Sequence, residues 1–121
     1  MSEISPRIIL FCRVLLCLAL MIFTHLLLDK PSGNVHGLIN DKLAHGIGFL
    51  VLIAVTDLAF PRVGFVWKAV ALSGYGLLME FLQLQTGYRH FSWWDWLADV
   101  VGVFAFLPVR AWVRGLLARL P

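Results

Sequence analysis

Three short stretches hold most of the side chains able to do chemistry. "DKLAH" (41–45) supplies Asp41, Lys42 and His45, "EFLQ" (80–83) supplies Glu80 and Gln83, and "RHFSWWDWLAD" (89–99) supplies Arg89, Asp95 and Asp99. Asp41, His45, Glu80, Asp95 and Asp99 together make four carboxylates and one imidazole. A histidine set among acids is suited to general acid–base catalysis. The same donors, carboxylate oxygen and imidazole nitrogen, suit a divalent metal such as Mg, Mn or Zn. Lys42 and Arg89 bring an ammonium and a guanidinium, the groups that neutralise phosphate. In the catalytic reading, His45 and Glu80 handle protons with Asp41 and Asp95 beside them. Lys42, Gln83, Arg89 and Asp99 line the ligand, and Asp95 with Asp99 hold a metal or orient His45. No nucleophile motif accompanies them: G-x-S-x-G, P-loop and H-E-x-x-H are all absent. Ser92, between His90 and Asp95, is too local an arrangement to read as a triad.

The surrounding chain decides where such groups can sit. Of 121 residues, 60% are hydrophobic and 14% charged, with a mean hydropathy of +0.86. Soluble domains are nearer 45–50% apolar and about 25% charged, so the composition is that of a membrane protein. Four apolar runs, about 8–28, 43–60, 65–85 and 94–112, predict an all-α, polytopic single domain: four transmembrane helices in a compact bundle, each near the ~20 residues a bilayer requires. The first run follows Arg7 but is too long for a signal-peptide core, and no A-x-A site follows it. Cys12 and Cys17, five apart in that run, point in different directions on a helix, so no disulfide is expected between them.

The net charge of +3 does not imply nucleic acid, because the bases stand singly at the segment ends, as membrane orientation requires. Arg7, Arg13, Arg62, Lys68, Arg110, Arg114 and Arg119 fall on one side of the four runs, and Lys30, Lys42 and Arg89 on the other. The positive-inside rule then puts both termini in the cytoplasm. Tyr88, Trp93, Trp94 and Trp96 form an outer aromatic belt, and Trp67 and Trp112 an inner one. Arg13 snorkels to the near surface. Asp57 is expected to be structural, close to Arg62 and Lys68. His25 with Asp29 reads as an interfacial contact, and His36 and His90 as loop residues.

Helical phase gathers the polar groups. Asp41, His45 and Gly48 share one stripe, as do Ala69, Ser73, Gly76, Glu80 and Gln83, and as do Asp95, Asp99 and Gly102. Each stripe is polar toward the outer end and small deeper down, which brings helices close and forces the polar groups together. A charge facing lipid at helix centre costs roughly 2.5–3.5 kcal/mol, so the groups must face inward. The alternative to a functional site is a packing lock, with Arg89 on Asp95 or Asp99, Lys42 on Glu80, and Gln83 bridging.

These stretches resemble the VanZ-like family of small bacterial membrane proteins. The family pattern is D-K-x-x-H, then E-x-x-Q, then R-x-x-S-x-x-D-x-x-x-N-x-x-G, and the match spans about residues 40–105 with the three motifs in order. One position departs: Asp99 stands where the family has Asn, adding a carboxylate. The resemblance implies a cell-envelope protein. The founding member is linked to teicoplanin resistance, whereas most relatives are not resistance factors. The expectation is an outward-facing polar pocket that takes the head group of an envelope lipid or a lipid-linked cell-wall precursor. The rival is a non-catalytic scaffold or accessory subunit. A transporter fits less well, because the polar cluster lies at one face rather than at the midplane.

Overall fold

The computed structural model describes residues 3–28, 38–87 and 92–121, with residues 38–42 as backbone alone. It is helical throughout, with no strand among the described residues: α1 (Pro6–Leu28), α2 (Leu38–Ala59), α3 (Phe65–Gln85), α4 (Trp93–Ala105) and α5 (Leu107–Ala118). Both α1 and α3 are long and apolar enough to cross a membrane. α4 and α5 pass that test only as a pair, bent by 47° at the break between them.

The bend corrects the expectation of one helix over 94–112. Pro108 occupies the first turn of α5. It has no N–H to give to the carbonyl of Phe104, four residues back, and its ring crowds that carbonyl. The turn tightens first, with the Phe106 N–H on Val103 O at 3.4 Å, and a new helix then starts. A second correction concerns α2, which begins at Leu38 rather than near 43. Asn40, Asp41 and Lys42 therefore lie in helix and not in a loop.

Burial runs opposite to that of a water-soluble protein. Asp57, Lys68, Glu80, Gln83 and Asp99 are all buried, whereas Leu10, Phe11, Met21, Trp67, Val101 and Trp112 are exposed. Water would penalise both halves of that distribution, while lipid favours both. In α5 the pattern inverts along a single helix. Trp112 and Leu116 face outward, while Arg110 and Arg114 turn inward to partners on other elements.

α2 is the central helix, packed most extensively on α4 and next on α1. Phe49, Leu52 and Ile53 of α2 and Val103 of α4 are fully buried at its core. Small residues set the α2–α4 approach. A Cβ on Gly102 would overlap the backbone carbonyl of Gly46, and one on Gly46 would stand 3.5 Å from Ala98 O. Gly48 faces elsewhere, against the Phe23 ring of α1.

Candidate functional site

The buried and half-buried polar groups divide between the two ends of the bundle. One end carries His45 (α2), Glu80 and Gln83 (α3), and Ser92, Asp95 and Asp99 at the start of α4. The other carries Asp57, Lys68, Arg110 and Arg114.

At the acidic end, the close α2–α4 crossing places His45 Nδ1 2.8 Å from Asp99 Oδ1. The Asp99 side chain is 2% exposed and that of His45 14%. Gly76 of α3 makes room for the second Asp99 oxygen, which lies 2.8 Å from where a Cβ would stand. An ionised Asp99 accepts the Nδ1 proton and fixes the tautomer. Nε2 has no hydrogen-bond partner among the described residues and is left open as a proton acceptor. The Asp95 and Glu80 carboxylates lie near enough to act electrostatically on the same imidazole. Four of the expected site residues, His45, Glu80, Asp95 and Asp99, are thus neighbours.

Glu80 also has a local task. Ser92 is the N-cap of α4, its hydroxyl accepting from the Asp95 N–H at 3.3 Å. In a capping box, the residue at the third helical position would reach back to the cap's own N–H. Here Glu80 of α3 takes that place, its Oε2 accepting from the Ser92 N–H at 3.0 Å. The cap is completed across two helices, and Glu80 is 1% exposed as a result. Gln83, one turn on, donates its amide to Leu27 O at 2.7 Å and satisfies a terminal carbonyl of α1. Thr24 and Tyr75 join α1 to α3 through their hydroxyls, 2.7 Å apart.

Trp93 and Trp94 are exposed, as belt residues should be, but Trp96 turns inward and donates its indole N–H to Ser73 O at 2.9 Å. Replacing Trp96 with Phe keeps the ring but orphans that bond. The expected loss is about 1 kcal/mol, read as a lower melting temperature in detergent.

Arg89 and the side chains of Asp41 and Lys42 lie outside the described residues, as does Asp29, the expected partner of His25. The backbone of α2 places Asp41 one turn before His45. Among the described residues, no group of three or more His, Cys, Asp and Glu could hold a metal ion.

The basic end was only partly foreseen. Asp57 is fully buried, and Lys68 pairs with its Oδ1, but Arg62 is exposed and not its partner. α5 supplies the others: Arg110 Nε donates to Asp57 Oδ2 at 2.9 Å, and Arg114 Nη1 lies 3.8 Å from Oδ1. Two of these cations, joined by Arg13, also hold the carbonyls at and just after the end of α2: Arg13 Nε donates to Ala59 O (2.9 Å), Lys68 to Phe60 O (3.0 Å) and Arg114 Nη2 to Pro61 O (2.6 Å). Arg13, expected to snorkel, also lies over the Phe60 ring. Positive groups at a helix C-terminus complement its dipole, and in lipid a carbonyl there needs a partner; Phe60 O also accepts from the Val63 N–H at 3.1 Å. The available signal was the spacing of Arg110 and Arg114, four apart on a helix otherwise apolar enough to contact lipid.

Comparison with protein-family models, with curated proteins and with solved structures finds no match.

Proposed function

We propose that this is a bacterial inner-membrane protein of the VanZ-like kind, whose acidic end takes the head group of an envelope lipid or lipid-linked cell-wall precursor. α1, α2, α3 and the bent α4–α5 pair make the four crossings, with both termini in the cytoplasm and the acidic end facing out. α2 has 22 residues, of which the apolar part is Leu43–Ala59, at the short end of the roughly 17–25 residues that a crossing takes.

The observation that carries the reading is the His45–Asp99 pair, 2.8 Å apart with Nε2 open. An imidazole oriented by a buried carboxylate is the arrangement of a general base, which takes a proton from a hydroxyl placed against Nε2. His45 is the residue that touches the ligand, and Asp99 positions it. Carboxylates such as Asp95 accept from the hydroxyl or amino groups of a sugar head group. Its phosphate falls to Lys42 and Arg89. The departure from the family pattern fits here, since a carboxylate at position 99 accepts the Nδ1 proton and orients the neutral imidazole more strongly than an Asn carbonyl does. The resistance phenotype of the founding family member is not part of the proposal.

The scaffold reading has its own support, because Glu80 and Gln83 bond backbone groups of other segments. His45→Gln separates the two. The head-group reading predicts a folded protein whose melting temperature in detergent moves by no more than a few degrees. Its retention of a polyprenyl-phosphate–linked sugar, read by native mass spectrometry, should fall at least tenfold. A scaffold would lose stability and show no separate binding defect.

A further inference from the structure

The basic end carries more positive charge than its carboxylate neutralises. Asp57 stands within 4 Å of three cations, Lys68, Arg110 and Arg114. One negative charge against three positive leaves a surplus of two. Basic residues that only mark orientation extend outward into water, and these do not. The break at Pro108 redirects the chain so that Arg110 and Arg114 face the end of α2 from one side, each about a quarter exposed (27% and 26%). Arg110 hydrogen-bonds through Nε alone among the described residues, with its guanidinium over the Phe65 ring, so the N–H groups of both terminal amino groups are available. Arg13, on the Ala59 carbonyl of the same turn, likewise hydrogen-bonds through Nε alone, with its guanidinium over the Phe60 ring. Guanidiniums held in place with N–H groups to spare match phosphate oxygens; Arg114, whose Nη1 and Nη2 face Asp57 and Pro61 O, keeps a further N–H on each. The outward face of α5, with Val109, Trp112 and Leu116 exposed, is apolar and suits acyl chains beside such a head group.

We infer that Arg110 and Arg114, held by Asp57, together with Arg13 on the nearby Ala59 carbonyl, form a binding site for the phosphate of an anionic phospholipid head group. The lipid supplies the negative charge that the protein leaves out, and joins α5 to the end of α2. Basic pockets between membrane helices commonly hold lipids of this class. The site is at the opposite end from His45 and does not depend on the head-group reading proposed there.

The test uses the whole protein in lipid nanodiscs containing equal phosphatidylglycerol and phosphatidylcholine of identical chains, followed by native mass spectrometry of the released protein. The expected result is retained phosphatidylglycerol in at least fivefold excess over phosphatidylcholine. Equal retention of the two lipids overturns the proposal with no variant needed. In detergent, added phosphatidylglycerol should raise the melting temperature several degrees more than phosphatidylcholine does. Arg110→Gln with Arg114→Gln should abolish the difference, and its persistence would count against the site. Millimolar inorganic phosphate should not reproduce the rise. If it does, the ligand is a free anion and the lipid assignment fails.

Discussion

Asp57→Ala should be the most damaging single substitution in the chain. The carboxylate is fully buried and holds Lys68, itself 3% exposed, together with Arg110 and Arg114. Removing one partner of a buried ion pair leaves an uncompensated charge, which costs about 3–5 kcal/mol. Here the orphan would be an ammonium packed beneath the end of α2, with two guanidiniums repelling it. Loss of the monodisperse peak on size exclusion in mild detergent is the expected outcome. The companion variant tests the cause. Asp57→Leu with Lys68→Met removes the buried pair as a unit and leaves the arginines free to turn toward lipid phosphates. It should recover most of the lost stability, since well-packed apolar replacements of buried pairs are often neutral. Equal damage in the single and double variants would show that charge burial is not the reason.

Gly102→Leu should be nearly as disruptive, by a different route. The contact opposite Gly102 is the backbone carbonyl of Gly46 rather than a flexible side chain. No rotamer can relieve it, so α2 and α4 must separate. Overpacking of an ordinary core costs about 1–3 kcal/mol, and a backbone-to-backbone clash lies at or above the top of that range. The effect should reach the site. His45 is one residue from Gly46, and Asp99 lies three before Gly102, so parting the helices opens the 2.8 Å pair. Gly102→Leu is therefore expected to lose stability and ligand retention together, whereas His45→Gln loses retention alone.

The two ends of the bundle differed in how far the sequence exposed them. The third helix was legible at both ends because Pro61 and Gly64 precede it and Gly87, at φ 81°, follows Thr86. The meeting of His45 with Asp99 was legible in part: phase puts Asp99 on the Gly102 face of α4, but the glycine that lets α2 approach there is Gly46, while Gly48 of the expected stripe faces α1. The break at Phe106 was passed over because an apolar run from 94 to 112 satisfies length and hydropathy while ignoring the backbone donor that Pro108 lacks. The start of α2 was missed because Asn40, Asp41 and Lys42 read as a polar loop. The partners of Asp57 escaped for a related reason. Arg110 and Arg114 were assigned to orientation, and their spacing on one helix face and the bend at Pro108, which together turn them inward, went unused. Glu80 was read as a proton handler by its type, whereas its bond to the Ser92 N–H exists only once α3 and α4 are side by side.

A double-mutant cycle between His45 and Asp99, read for both melting temperature and head-group retention, is the most direct test of the central claim. Wild type, His45→Gln, Asp99→Asn and the double variant would be purified in one detergent, and each challenged with the polyprenyl-phosphate–linked sugar. The account predicts weak coupling in stability and strong coupling in retention, with the double variant no worse a binder than either single one. Strong coupling in stability with additive or absent effects on retention would contradict it, and would make the pair a helix lock.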